Sequence, residues 1–244
     1  MARDLGAAQD FYSAVLGWSY RPVPEDADFA VALDGEAPVA GLGATAPSLR
    51  APVAWVPYFA VDSADVTASR VRERGATVAV GPLPVDNGRA ALASDPDGAV
   101  FGFWEGRTVK GWSVGQGGGG PARLELRTRD AFAAAIFYAE VLAWASGSPD
   151  SCDVQYEHDQ VLVRDGSRAV AALRGGAVES APDPQVRPRW HVSFRVDDVS
   201  AAADQAAKAG GTVIVPPSEA HDGRDGREAT LRDPDGALFT VTTV

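Results

Sequence analysis

The chain has 244 residues, 45% of them hydrophobic, with 26 glycines and 17 prolines, a composition suited to an ordered, turn-rich globular protein. A formal charge of −11 argues against nucleic acid or an anionic membrane as a partner. The single cysteine, Cys152, rules out an intrachain disulfide; with no signal peptide and no apolar run near the ~18 residues of a membrane span, the expectation is a soluble cytoplasmic protein.

Along the chain, Phe11-Tyr12 with Val15-Leu16-Gly17-Trp18 marks the end of a first helix. Val61-Asp62 marks a strand-to-helix joint, and Gly88-Arg89 precedes the turn Asp95-Pro96-Asp97-Gly98. That turn has a polar cap, proline at the second place and glycine at the fourth, as a type I turn requires. It runs into an apolar strand, so Asp95 reads as a turn residue. The glycine-rich stretch 115–121 reads as a flexible linker. Beyond it, 123–127 alternates as a strand, and 130–142 pairs Phe132 with Ile136, Phe137 with Val141 and Tyr138 with Leu142 as a helix. Strands are expected at 153–157, 160–164 and 168–174. A second round follows: strand 190–196, helix 198–209 closed by Gly210-Gly211, then strands 212–216, 227–232 and 237–243.

The second half repeats the first. Phe137-Tyr138 and Val141-Leu142-Ala143-Trp144 follow the first copy by 126 residues, Val196-Asp197 by 135, and Gly226-Arg227 and Asp233-Pro234-Asp235-Gly236 by 138. Order is kept while the offset grows, as in a duplicated unit with small insertions. The expected fold class is α+β, with tandem βαβββ modules, nominally four. The expected domains are 1–114 and 122–244. The strand matching 122–128 would have to lie before residue 1, so either the natural start lies upstream or the first module lacks that strand and leaves an exposed edge.

These motifs resemble the vicinal oxygen chelate superfamily, which includes glyoxalase I, extradiol dioxygenases, fosfomycin-resistance enzymes and bleomycin-resistance binding proteins. The resemblance implies two glyoxalase/bleomycin-resistance-type domains whose modules curl into cups. In metal-dependent members, His and Glu on the first and last strands of each module hold the ion. Carried over, the last-strand glutamate falls on Gly102 and Thr240. The histidine of each second module falls on Val56 and His191, and the first-strand position of the second copy on Arg123. Val39-Ala40-Gly41 and Val170-Ala171-Ala172 stand at the third family position. His191 alone survives, and one imidazole cannot hold a divalent ion. The expectation is therefore no metal and no cofactor, with a rearranged set of His191, His158 and Glu125 as the alternative.

Residues in register with those positions define the cup linings. The second copy offers Arg123, Glu125, Arg127, His191, Ser193, Thr240 and Thr242, a polar floor. Arg123 is expected to pair with Glu125 or Glu157, or to meet a ligand carboxylate. The first offers Val56, Tyr58, Gly102 and Trp104, an apolar and aromatic floor with room above the glycine. A small, largely apolar or aromatic organic ligand is the expected partner of a monomer or homodimer. Two alternatives stand beside it. One is a lyase, isomerase or oxygenase using His191, Arg123 and Glu125. The other is a degenerate scaffold for protein contact.

Overall fold

The computed structural model describes residues 1–24, 26–49, 52–85, 88–106, 114, 121–148, 151–157, 160–176, 187–220 and 226–243. The first module contains α1 (Leu5–Leu16), β1 (Ser19–Val23), β2 (Asp26–Asp34) and β3 (Ala37–Gly43), followed by the single turn α2 (Ala46–Leu49). The second contains β4 (Tyr58–Ala60), α3 (Ala64–Glu73), β5 (Thr77–Val85), β6 (Gly88–Ser94) and β7 (Val100–Gly106). The third contains β8 (Pro121–Arg127), α4 (Ala131–Leu142), β9 (Asp153–Glu157), β10 (Gln160–Asp165) and β11 (Arg168–Arg174). The fourth contains β12 (Arg189–Arg195), α5 (Val199–Lys208), β13 (Thr212–Glu219), β14 (Arg227–Arg232) and β15 (Leu238–Thr242). The α+β plan of βαβββ modules is present. Among the described residues no strand precedes α1; instead the Ala2 amide donates to the Gly43 carbonyl at the end of β3.

Local chemistry sets the helix starts. The side chains of Asp4, Ser63, Asp130 and Asp198 each accept an amide of the first turn, the role for which these residue types are favoured at N-caps. The arginine of each Gly-Arg pair then reaches a helix start. Arg89 holds both oxygens of Asp65 at 2.6 and 2.9 Å, and Arg227 reaches Ser200, the matching residue, at 3.3 Å.

The chain forms two compact units, and each draws on both halves of the sequence. One comprises Met1–Trp55, Gly111–Arg123 and His191–Val244, the other Val56–Lys110 and Leu124–Trp190. In the first, β1-β2-β3 form one antiparallel sheet, while β13-β14-β15-β12 lie in that order with β12 parallel to β15. Helix α1 packs on α5. In the second, strands run β4-β7-β6-β5 and β8-β11-β10-β9, with the pairs β4–β7 and β8–β11 parallel. There α3 packs on α4. The expected linker lies outside the described residues, apart from Pro121 at the start of β8.

Alternation along the strands places the core. Phe194, Leu231, Phe239 and Val241 are fully buried in the first unit, and Phe101, Phe103, Leu126 and Leu173 in the second. Each such side chain contributes about 1.5–3 kcal/mol by leaving water. Strand β13 runs past the expected 212–216 to Glu219 through Pro216 and Pro217. It is the outer strand of its row of four, where a missing amide is tolerated. In α4, Phe137, Tyr138 and Val141 are buried, whereas Phe132 and Ile136 face outward, 58% and 47% exposed.

Candidate functional site

Both Asp-Pro-Asp-Gly turns do more than turn. Asp233 Oδ1 accepts the amides of Gly236 and Ala237, and its Oδ2 accepts the Tyr12 hydroxyl at 2.8 Å. The Trp55 indole N–H then donates to the Tyr12 oxygen at 2.9 Å. In the second unit, Tyr138 donates to Asp95 at 3.1 Å and Trp190 to Tyr138 at 2.9 Å. Trp18 stacks on Tyr12 and Trp144 on Tyr138, with centroids 5.9 and 5.8 Å apart; Trp18 is a buried core residue, and Trp144 packs partly buried against the core. Burial and the neighbouring carboxylate push both phenols far above their ordinary pKa. The proton therefore stays on the phenol. These trios close the two units and leave the sheet faces to carry function.

In the second unit, the face of β4-β7-β6-β5 opposite Phe59, Phe101 and Phe103 carries two apolar paired rows. Tyr58 stands opposite Gly102, Gly102 opposite Leu92 and Leu92 opposite Val80. The next row is Ala60, Trp104, Ala90 and Leu83. Paired residues share a face, so these eight form one surface. Tyr58 and Leu83 are about half exposed, at 50% and 52%. The expected room above Gly102 is absent, because the Tyr58 ring lies across it, 2.4 Å from where a Cβ would stand. Trp104 covers Gly88 in the same way. Val56 precedes β4 and belongs to no strand.

The first unit presents a polar face. Ser193 pairs with Thr240, and Thr240 with Thr230, so His191, Ser193, Thr230, Thr240 and Thr242 lie on one side of the sheet. His191 is 3% exposed, and its Nε2 shares a hydrogen bond of 2.7 Å with Thr240 Oγ1, which lies 3.2 Å from Thr230 Oγ1. Arg123 meets Glu228 at 3.5 Å, not Glu125 or Glu157. Neither Glu228 nor Thr230 stood out in the sequence, since nothing local says which strand β14 faces.

Glu125 and Arg127 belong to the second unit. Glu125 is 7% exposed, and each of its oxygens faces a guanidinium: Arg127 Nε at 2.8 Å and Arg174 Nε at 3.4 Å. His158 lies outside the described residues. Among those described, no group of three or more His, Cys, Asp or Glu side chains is placed to hold a metal ion.

The glyoxalase-like domain family matches residues 123–242, and the Glyoxalase/Bleomycin resistance protein/Dioxygenase superfamily matches residues 1–103. CFP32 of Mycobacterium bovis, which carries a provisional glyoxylase name, is 34% identical over 98% of this chain and 90% of its own. The anthracycline biosynthesis protein DnrV of Streptomyces peucetius is 33% identical over 98% of this chain and 88% of its own. Among solved structures, the Mn(II)-bound glyoxalase from Novosphingobium aromaticivorans aligns with a TM-score of 0.58 at 22% identity, covering 99% of this chain and 78% of that one. A catechol 2,3-dioxygenase aligns at 0.59 and 16% identity, covering 98% and 84%. At these identities the structural likeness speaks for the fold alone.

Proposed function

The chain belongs to the glyoxalase/bleomycin resistance/dioxygenase superfamily, and on that premise we propose that it binds a small, planar, largely aromatic organic molecule without a metal ion. The observation that carries this reading is the apolar face of β4-β7-β6-β5. Two aromatic rings, Tyr58 and Trp104, lie over glycines there and form a slab with no charged side chain in its two rows. Such a slab offers stacking and hydrophobic contact and no charge at neutral pH, since burial raises the Tyr58 phenol above its ordinary pKa. A relative named for anthracycline biosynthesis supports the choice, since anthracyclines are planar fused-ring aromatics.

The donor set supports the metal-free half. Positions that the family uses for ligands carry Val56, Gly102, Arg123 and Thr240 beside His191. A guanidinium repels a cation, Gly102 faces a phenol ring, and Thr240 is engaged with His191. These residues do not fit a divalent ion.

Doxorubicin titrated into the protein should quench tryptophan fluorescence and be recovered unchanged, and Trp104→Ala should weaken it about tenfold. Attraction of a cationic drug to an acidic protein would survive that substitution, and equal affinity in both proteins would sink the reading. Elemental analysis after incubation with Zn, Mn and Fe(II) should find metal well below one equivalent.

One observation favours a second reading, a metal-free lyase or isomerase. The buried His191–Thr240–Thr230 chain beside the Arg123–Glu228 pair offers an imidazole for proton transfer. Glu125 fits that role poorly, since two guanidiniums hold its oxygens. Turnover abolished by His191→Ala would bring this reading forward.

A further inference from the structure

The rows of the apolar slab have counterparts in the first unit, at the offsets of the repeat, and their chemistry is reversed. Thr230 takes the place of Leu92, Glu228 that of Ala90 and Ser218 that of Leu83. Val215 and Ser218 are three residues apart on β13 and in a regular strand would point to opposite sides. The register shift between them turns both to one side, so that Val215 pairs with Thr230 and Ser218 with Glu228. On this face two polar atoms are shielded from water without a hydrogen-bond partner among the described residues, Ser218 Oγ and Arg123 Nε. Both adjoin the same carboxylate. Ser218 stands directly across from Glu228, and Arg123 Nη2 lies 3.5 Å from Glu228 Oε2. A buried donor left unpaired costs free energy, and native chains keep few of them. Two beside one carboxylate mark a place built to receive oxygen atoms from outside the chain.

We infer that this face binds a small neutral polyol. Glu228 repels an anion placed beside it and Arg123 repels a cation, so a neutral ligand is the one that both admit. Arg123 Nε–H can only donate, and the Ser218 hydroxyl can donate or accept. Adjacent hydroxyls on one carbon frame supply an acceptor to each at the same time. The hydroxyls of Ser193, Thr230 and Thr240, which share this side of the sheet, suit further hydroxyls of the same ligand, since each group both donates and accepts. His191 lies on the same side, but the inference concerns binding and needs no turnover.

Stability and binding should therefore part company at Ser218. myo-Inositol is titrated calorimetrically into the full-length protein, Ser218→Ala and Arg123→Lys, with cyclohexanol as the control that keeps the ring and one hydroxyl. Ser218→Ala should melt no lower than the parent, because its hydroxyl has no partner to lose, yet bind myo-inositol about tenfold more weakly, the change expected of one hydrogen bond. Arg123→Lys keeps a cation for Glu228 and removes the Nε–H, and it should weaken myo-inositol to a similar extent. Raising NaCl from about 0.05 to 0.5 M should leave the affinity unchanged, as for any uncharged ligand. The inference is overturned if myo-inositol does not bind the parent, if cyclohexanol matches it, if both variants bind like the parent, or if Ser218→Ala melts lower, which would give the hydroxyl a structural partner. It does not depend on the aromatic slab: Trp104→Ala should leave myo-inositol affinity unchanged, and Ser218→Ala should leave doxorubicin affinity unchanged.

Discussion

Tyr12 and Asp233 stand 221 residues apart in the chain, yet the phenol hydroxyl donates to the carboxylate across 2.8 Å. The matching pair in the second unit is Tyr138 and Asp95, at 3.1 Å. The helix of the first module thus takes the turn of the fourth, and the helix of the third takes the turn of the second. This explains why the Phe-Tyr helix and the Asp-Pro-Asp-Gly turn are both kept in each half: they are partners. Tyr12→Phe strands Asp233 Oδ2 and the Trp55 N–H in a buried site. It should cost about 1–3 kcal/mol in urea denaturation, with Tyr138→Phe costing a similar amount. A loss under a few tenths would show that water satisfies these groups.

Burial raises the Asp95 carboxyl above its ordinary 3.8, against the opposing effect of the Ala99 amide and the Tyr138 hydroxyl. A carboxyl with a raised folded pKa binds its proton more readily in the folded chain. Its contribution is therefore fully present below pH 3.8 and declines as pH rises through the folded value. The stability difference between the parent and Asp95→Asn should move in favour of the variant over that window and level off above it. A difference independent of pH would remove Asp95 from the titration.

Much of this architecture was legible because it is local. The Asp-Pro-Asp-Gly turns and the alternation of strands such as 123–127 follow from a few neighbouring residues. What was not legible depends on partners distant in sequence. For Arg123 the sequence argument offers Glu125 and Glu157, whereas the fold brings it to Glu228 on β14. Gly102 reads as space, whereas a ring from the next strand fills it. Helix α4 is apolar on two sides, so periodicity cannot say that Phe132 and Ile136 are the outward ones. The exchange of modules between units leaves no trace in either half alone.

The duplication also supplies an internal control for strain. Gly17 ends α1 in the left-handed conformation at φ 72°, and the matching residue after α4 is Ala143 at φ 57°. A Cβ there is disfavoured, which glycine avoids. Ala143→Gly should stabilise the protein by about 0.5–1 kcal/mol after the entropy of the unfolded chain is counted. A rise in melting temperature checks this; a fall would mean that the alanine methyl contributes packing that outweighs its backbone strain.

Two glycines on the apolar face separate fold from function. At Gly102 the atoms nearest an added Cβ all belong to the Tyr58 ring, at 2.4 Å, and a half-exposed side chain can turn toward solvent. At Gly88 the same atom meets the Glu105 carbonyl oxygen at 2.5 Å as well as the Trp104 ring at 2.4 Å, and a backbone cannot swing. Gly88→Ala should therefore cost upwards of about 2 kcal/mol by forcing β6 and β7 apart, while Gly102→Ala should cost less than about 1. The ligand readout should run the other way round. Gly102→Ala, though well folded, tips the Tyr58 ring off the sheet and should weaken doxorubicin binding several-fold. If Gly102→Ala melts like the parent and binds like it too, Tyr58 is no part of the stacking surface, and Trp104 alone remains to carry it.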